Sequence, residues 1–212
     1  MPGILTEIQE DLIQGTGPQI RELTTRAIEE GYSASDVLRK ALMPGMEEVG
    51  RRMKDGEYYI PDVLISARTM QMALEILKPQ LVESGAVQAG TAVIGSVAGD
   101  LHDIGKNLVG MMLEGANFEV VDLGTDVSAE QFVAAAQEHE ANLIGISALL
   151  TTTMVAMKDT IDAFQEAGIR SQVKILVGGA PVTGAYAGEV GADGYAPDAG
   201  SAAVVARELM GD

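Results

Sequence analysis

The chain has 212 residues, with 31 Asp and Glu against 14 Lys and Arg; the formal net charge of −17 argues against a nucleic-acid or anionic-membrane surface, because both need clustered cations. Apolar residues make up 47% and aromatics only 4%, with no Trp, so the core must be aliphatic and rich in methionine. The absence of Cys excludes a disulfide framework and thiolate chemistry and suits a reducing cytoplasm, the expected location, while no signal peptide or membrane-spanning run is legible.

From Ile4 to about Ser84 the apolar residues recur at helical spacing, and nothing alternates as a strand would. Leu5, Ile8, Leu12 and Ile13 form one face; Ile20, Leu23, Ala27 and Ile28 a second; Val37, Leu38, Leu42, Met46 and Val49 a third. Gly15-Thr16-Gly17-Pro18, Gly31-Tyr32-Ser33 and Asp55-Gly56-Glu57 separate them. Ser33 or Ser35 is placed to cap the third helix and Gly31 to close the one before it. Pro61 suits the first turn of a fourth helix through Val63, Ala67, Met70, Leu74 and Leu77, with a stop expected at Pro79. Four helices with short connections make a bundle over residues 1–84, and the small, Gly-containing stretch 85–90 reads as a linker.

Over residues 91–212 strand and helix alternate. Strands are expected at Ala92–Val97, Glu119–Asp122, Leu143–Ser147, Lys174–Val177 and Gly194–Ala196. Helices are expected at Ile104–Gly115, Ala129–His139, Thr152–Ala167, Ala180–Gly188 and Ala199–Met210. Apolar strands between amphipathic helices mean a parallel sheet covered on both faces, an α/β doubly wound domain of flavodoxin or Rossmann-like type. Its ligand crevice lies at the carboxyl ends of the first, third and fourth strands.

The stretch after the first strand, Gly99-Asp100-Leu101-His102-Asp103-Ile104-Gly105-Lys106-Asn107, is such a strand-to-helix loop. It sets a carboxylate two residues before an imidazole. A carboxylate that accepts the spare N–H fixes the tautomer, raises the ring's basicity and leaves the other nitrogen free for a metal. His102 is therefore read as a metal ligand and Asp100 as its partner; a hydrogen-bonded structural histidine is the plainer alternative. The chain holds only two histidines and no Cys, and nothing nearby supplies the clustered ligands that zinc needs. One protein ligand suffices only when the metal arrives in a macrocycle that supplies the others. The second histidine, His139, ends a helix and is explained by solvation and the helix dipole.

Asp100-x-His102-x-x-Gly105, Ser147-x-Leu149 and Gly178-Gly179, in this order and spacing, resemble the motif set of the cobalamin-binding proteins that include methionine synthase and the corrinoid proteins of methanogens and acetogens. The resemblance implies a cobalamin or related corrinoid bound base-off, with His102 on cobalt in place of the dimethylbenzimidazole, whose nucleotide tail threads into the sheet domain. It adds Thr153 to Asp100 and His102 as a third relay member, at a position where methionine synthase carries serine; taken bare, Thr153 reads equally as a helix N-cap. It implies that Ser147 bonds the ring nitrogen of the buried base, with Leu149 and Thr151 beside its slot. Gly178 and Gly179 would let the tail run against backbone, although a bare Gly-Gly is only a turn signal. Tyr195, Ala196 and Ala199 would close over the nucleotide, while Gly99, Leu101, Asp103 and Gly105 would bind the cofactor from the histidine loop, Gly99 and Asp103 through backbone. The helical half is similar to a module that covers the upper corrin face, which puts Met53 and Ile60 at its two apolar cap positions; ordinary core packing is the plainer alternative for each. Arg39 stands where methionine synthase has Glu, and that role is not carried over.

The resemblance runs over both halves. It implies a corrinoid protein that carries a methyl group on cobalt, as Co(I) and methyl-Co(III), from a substrate-specific methyltransferase to a second methyltransferase with a thiol or tetrahydrofolate acceptor. Such a chain is a non-autonomous subunit, since no zinc-thiolate site, folate barrel or reactivation domain is legible. A reductive activating protein is a further expected partner; nucleic acid and membrane are not expected. A cobalamin-dependent sensor would need a DNA-binding domain or a basic surface, and a receiver-like or flavin-binding domain without corrinoid is what the fold alone permits.

Overall fold

The computed structural model describes residues 3–17, 19–83 and 88–211, and the chain divides into two compact units, Met1–Val87 and Gln88–Asp212. Pro18 of the first expected turn and residues 84–87, most of them in the expected linker, lie outside the described residues.

The first unit holds α1 (Ile4–Gln14), α2 (Gln19–Glu29), α3 (Ala34–Val37), α4 (Met43–Lys54) and α5 (Ile60–Glu83), with a π-helical segment, Leu38–Leu42, joining α3 to α4. Pro44 accounts for that wide turn. It offers no N–H to the Lys40 carbonyl and its ring would crowd it, and just before it the Met43 N–H reaches back to the Leu38 carbonyl. Ile8, Leu12, Ile20, Val49, Val63 and Leu77 are fully enclosed between the helices. Ser33, rather than Ser35, caps α3: its Oγ accepts the Asp36 N–H at 3.0 Å. The expected stop at Pro79 is corrected, because α5 continues to Glu83. One missing donor interrupts the ladder without ending it, and Met70, Ala73 and Leu77 anchor the preceding turns in the core.

In the second unit β1 (Gly90–Ser96), β2 (Phe118–Asp122), β3 (Leu143–Ser147), β4 (Lys174–Gly178) and β5 (Gly194–Ala196) form one parallel sheet in the order β2-β1-β3-β4-β5. Helices α6 (Ile104–Gly115) and α10 (Ala199–Met210) cover one face; α7 (Ala129–Glu138), α8 (Val155–Glu166) and α9 (Gly184–Val190) cover the other. Val93, Val97, Ile144, Ile146, Ile175 and Val177 pack beneath Phe132, Ile161 and Phe164. This is the expected doubly wound architecture.

Three starts differ from expectation by two residues or more. β1 begins at Gly90, inside the stretch read as linker, because the Ala89 N–H already bonds the Asn117 carbonyl (3.0 Å) and the Thr91 N–H the Asn142 Oδ1 (2.8 Å). α8 begins at Val155 and not Thr152, since the Thr153 and Met154 N–H groups turn back onto the Leu150 carbonyl. α9 begins at Gly184 and not Ala180; Thr183 caps it by accepting the Tyr186 N–H, and the segment before it turns at Gly179, where φ is 127°.

Candidate functional site

The sheet register sets one level across the carboxyl edge: Ser96 pairs with Ser147, Ser147 with Gly178, and Gly178 with Ala196. The loops that follow therefore leave from the same edge, and the histidine loop, Ser147–Thr151 and Gly178-Gly179 become neighbours although far apart in sequence.

Asp100 is completely buried. Its Oδ1 accepts the Nδ1–H of His102 at 2.7 Å and the His102 backbone N–H at 3.1 Å. Its Oδ2 accepts the Thr153 hydroxyl at 2.6 Å and the Leu149 N–H at 2.7 Å. Burial alone would raise the Asp100 pKa. The Thr153 hydroxyl, the Leu149 N–H and the two His102 donors outweigh it and hold the carboxyl well below the usual carboxylate range. An anion so placed selects the tautomer with the proton on Nδ1. Among the described residues Nε2 of His102 has no partner, and the side chain is 49% exposed. Thr153 does not cap α8, whose cap position is Met154; its single proton has two acceptors in reach, Asp100 Oδ2 and the Leu150 carbonyl at 2.9 Å.

The histidine loop, the loop after β3 and the first residues of α6 and α8 expose apolar side chains: Leu101 (73%), Leu149 (41%), Leu150 (43%), Ile104 (64%) and Val155 (65%). A Cβ at Gly105 would meet nothing within 4 Å, so space is open there. Ser147 is half-buried, and among the described residues its hydroxyl takes no hydrogen bond; Thr151 is exposed. At Gly179 a Cβ would fall 1.9 Å from the Ala148 carbonyl oxygen, so glycine is required there by the chain's own backbone; at Gly178 it would stand 3.1 Å from the Ala196 oxygen. Tyr195 is half-buried against the core, and Ala196 and Ala199 are buried. Asp103 precedes α6 and accepts the Asn107 side chain at 3.3 Å. In the other unit Met53, in α4, is half-buried, while Ile60, which opens α5, is 41% exposed and so is not a core residue. His139 is exposed at the C-terminus of α7.

Sequence reasoning missed two supports of the histidine loop. The Ser96 hydroxyl, fully buried at the end of β1, donates to the His102 carbonyl at 2.6 Å. A polar residue closing an apolar strand was the available signal. Asp126, after β2, accepts the Gly99 N–H at 2.7 Å and gave no signal of its own.

Among the described residues no three His, Cys, Asp or Glu side chains gather to hold a bare ion. One open imidazole, its far nitrogen anchored and its surroundings apolar, fits a metal that brings its other ligands in a broad apolar ring.

Residues 90–204 match a family model described as B12 binding domain, and residues 4–78 match a second B12 binding domain model. The chain is 42% identical to a corrinoid protein of Desulfitobacterium hafniense over 98% of either chain. It is 39% identical to dimethylamine corrinoid protein 3 of Methanosarcina acetivorans, over 98% of this chain and 97% of that one. Among solved structures, a cobalamin-binding protein from Desulfitobacterium hafniense superposes with a TM-score of 0.83 at 31% identity, covering 97% of this chain and 98% of that chain. The methanol:cobalamin methyltransferase complex MtaBC from Methanosarcina barkeri matches with a TM-score of 0.81 at 34% identity, over 98% of this chain and 79% of that chain. The first family match covers the whole sheet edge on which Asp100, His102, Ser147 and Gly178 converge, and the likeness to corrinoid proteins runs nearly end to end: this chain belongs to the B12-binding corrinoid proteins.

Proposed function

We propose that the protein is a methyl carrier, which holds a cobalamin or related corrinoid through His102 and serves a substrate-specific methyltransferase and a second methyltransferase with a thiol or tetrahydrofolate acceptor. The observation that carries the reading is the His102 ring, open at Nε2 and fastened at Nδ1 by a fully buried carboxylate. When bound, the corrinoid supplies a cobalt centre that accepts and releases a methyl group.

The residues of this chain bind and orient. His102 offers Nε2; Asp100 keeps the proton on Nδ1 and the ring aligned; Thr153 steadies the carboxylate. Once the corrinoid is bound, the exposed apolar side chains of Leu101, Ile104, Leu149 and Leu150 would help exclude water from the ligating nitrogen, with Gly99, Asp103 and Gly105 framing the histidine loop. The Ser147 hydroxyl, with Thr151 near it, would hold the nucleotide base, and Gly178-Gly179, Tyr195 and Ala199 would wall the nucleotide. Residues 1–84 serve as the helical cap unit, with Met53 and Ile60 as its apolar cap residues, and the unit whose sheet begins at Gly90 holds the corrinoid. Relatives named for dimethylamine and methanol make a small methylated amine or alcohol the donor class of the first methyltransferase, and a reductive activating protein restores an oxidised carrier.

Reconstitution with hydroxocobalamin tests the reading. The reduced Co(II) protein should show one histidine nitrogen splitting by electron paramagnetic resonance. His102→Ala should lose it together with about tenfold or more of the transfer rate. A wild-type protein that keeps the nucleotide base on the metal would overturn the assignment.

A further inference from the structure

We propose that Asp126 is a positioning residue for the His102 ligand, acting through the Gly99–Asp100 peptide segment; this rests on the methyl-carrier reading above. Asp126 grips that segment at both ends. Its Oδ1 accepts the Gly99 N–H at 2.7 Å, and its own N–H donates to the Asp100 carbonyl at 3.0 Å. Neither bond is local, since Asp126 lies in the loop after β2, and that loop is itself fastened to β1: the Ser96 N–H bonds the Gly124 carbonyl and the Val127 N–H the Ser96 carbonyl, each at 3.0 Å. Gly99 (φ 79°) and Asp126 (φ 55°) are both left-handed, a conformation that a non-glycine residue holds only when its surroundings reward it. Asp100 then has its main chain fixed from one side by Asp126 and its side chain from the other by Leu149 and Thr153, so its carboxylate meets the imidazole in one orientation.

Two substitutions separate the carboxylate from the backbone. Asp126→Asn keeps an acceptor oxygen and tolerates the left-handed conformation; Asp126→Gly keeps the conformation and removes the acceptor. In the apoprotein Asp126→Gly should speed Gly99 amide exchange about tenfold and broaden the His102 ring resonances, with Asp126→Asn close to wild type. In the cobalamin-loaded Co(II) protein Asp126→Gly should lower the fraction of metal showing the histidine nitrogen splitting at least about twofold, with Asp126→Asn restoring it. Faster Gly99 exchange with an unchanged histidine-bound fraction would overturn the positioning role and leave the carrier reading intact. Absence of the splitting in the wild type would instead overturn the carrier reading, and this inference with it.

Discussion

The Thr153 hydroxyl meets the Asp100 carboxylate at 2.6 Å across 53 residues of sequence, on the opposite side of that carboxylate from the His102 ring. One buried anion therefore links a threonine before α8 to an imidazole before α6. The ring cannot be reoriented without disturbing a set of donors that also holds the β3 loop, since the Leu149 N–H ends on the same oxygen as Thr153.

Thr153→Val should remove one donor from Oδ2 and leave the shape almost unchanged. The expected cost is about 1–2 kcal/mol of unfolding free energy in urea, with Thr153→Ser near wild type. Equal stability of the valine and serine variants would show that the hydroxyl does not support the carboxylate.

Gly179→Ala and Gly105→Ala should behave oppositely. At 179 the new methyl strikes the Ala148 carbonyl in a left-handed backbone, so a loss of about 2–4 kcal/mol is expected, with displacement of the Leu149 N–H and a changed His102 resonance. At 105 the methyl enters open space within α6, which should leave stability equal or up to about 1 kcal/mol higher. Cobalamin titration of Gly105→Ala should nonetheless show weaker binding; undiminished affinity would place the ligand elsewhere.

Phe132→Ala empties a fully buried ring position between α7 and β1. Denaturant unfolding should register about 3–5 kcal/mol, and a loss under 1 kcal/mol would mean that the α7 face is not packed as described.

The helical unit has its own acid sensitivity. Hydrogen bonds from Arg51 and then Arg52, against the opposing effect of burial, hold Glu48 down at about 2 from an ordinary 4.5. The folded state thus binds this proton less readily than the unfolded chain does. The stabilisation is complete above pH 4.5 and fades as pH falls toward about 2. Melting temperatures of wild type and Glu48→Gln should differ at pH 6 and converge near pH 2; a gap independent of pH would refute the linkage.

Much of the architecture was legible because it is local. Ile104–Gly115, Leu143–Ser147 and Ala199–Met210 start and stop where their periodicity does. The misread boundaries lie where a nonlocal or backbone effect overrides a local signal: a helix carried past Pro79 by its buried face, a strand extended to Gly90 by Asn117 and Asn142, a turn at Leu150 whose carbonyl takes two N–H groups. In the candidate site the same division holds. The imidazole's partner could be read from spacing, but the apolar exposure of Ile104 and Val155 could not, since both sit in patterns that also suit a helix core.

By itself the sequence determined that Asp100 and His102 lie two residues apart in one tight loop, within reach of each other, together with the order of strands and helices that encodes a parallel sheet. Only the tertiary structure decided what holds that pair. Ser96, Asp126, Leu149 and Thr153 come to the loop through the pairing of β1 with β3 and the return of the β2 loop beneath it. Contacts 27 to 53 residues apart, such as Gly99 with Asp126 and Asp100 with Thr153, exist only once the strands have paired in register.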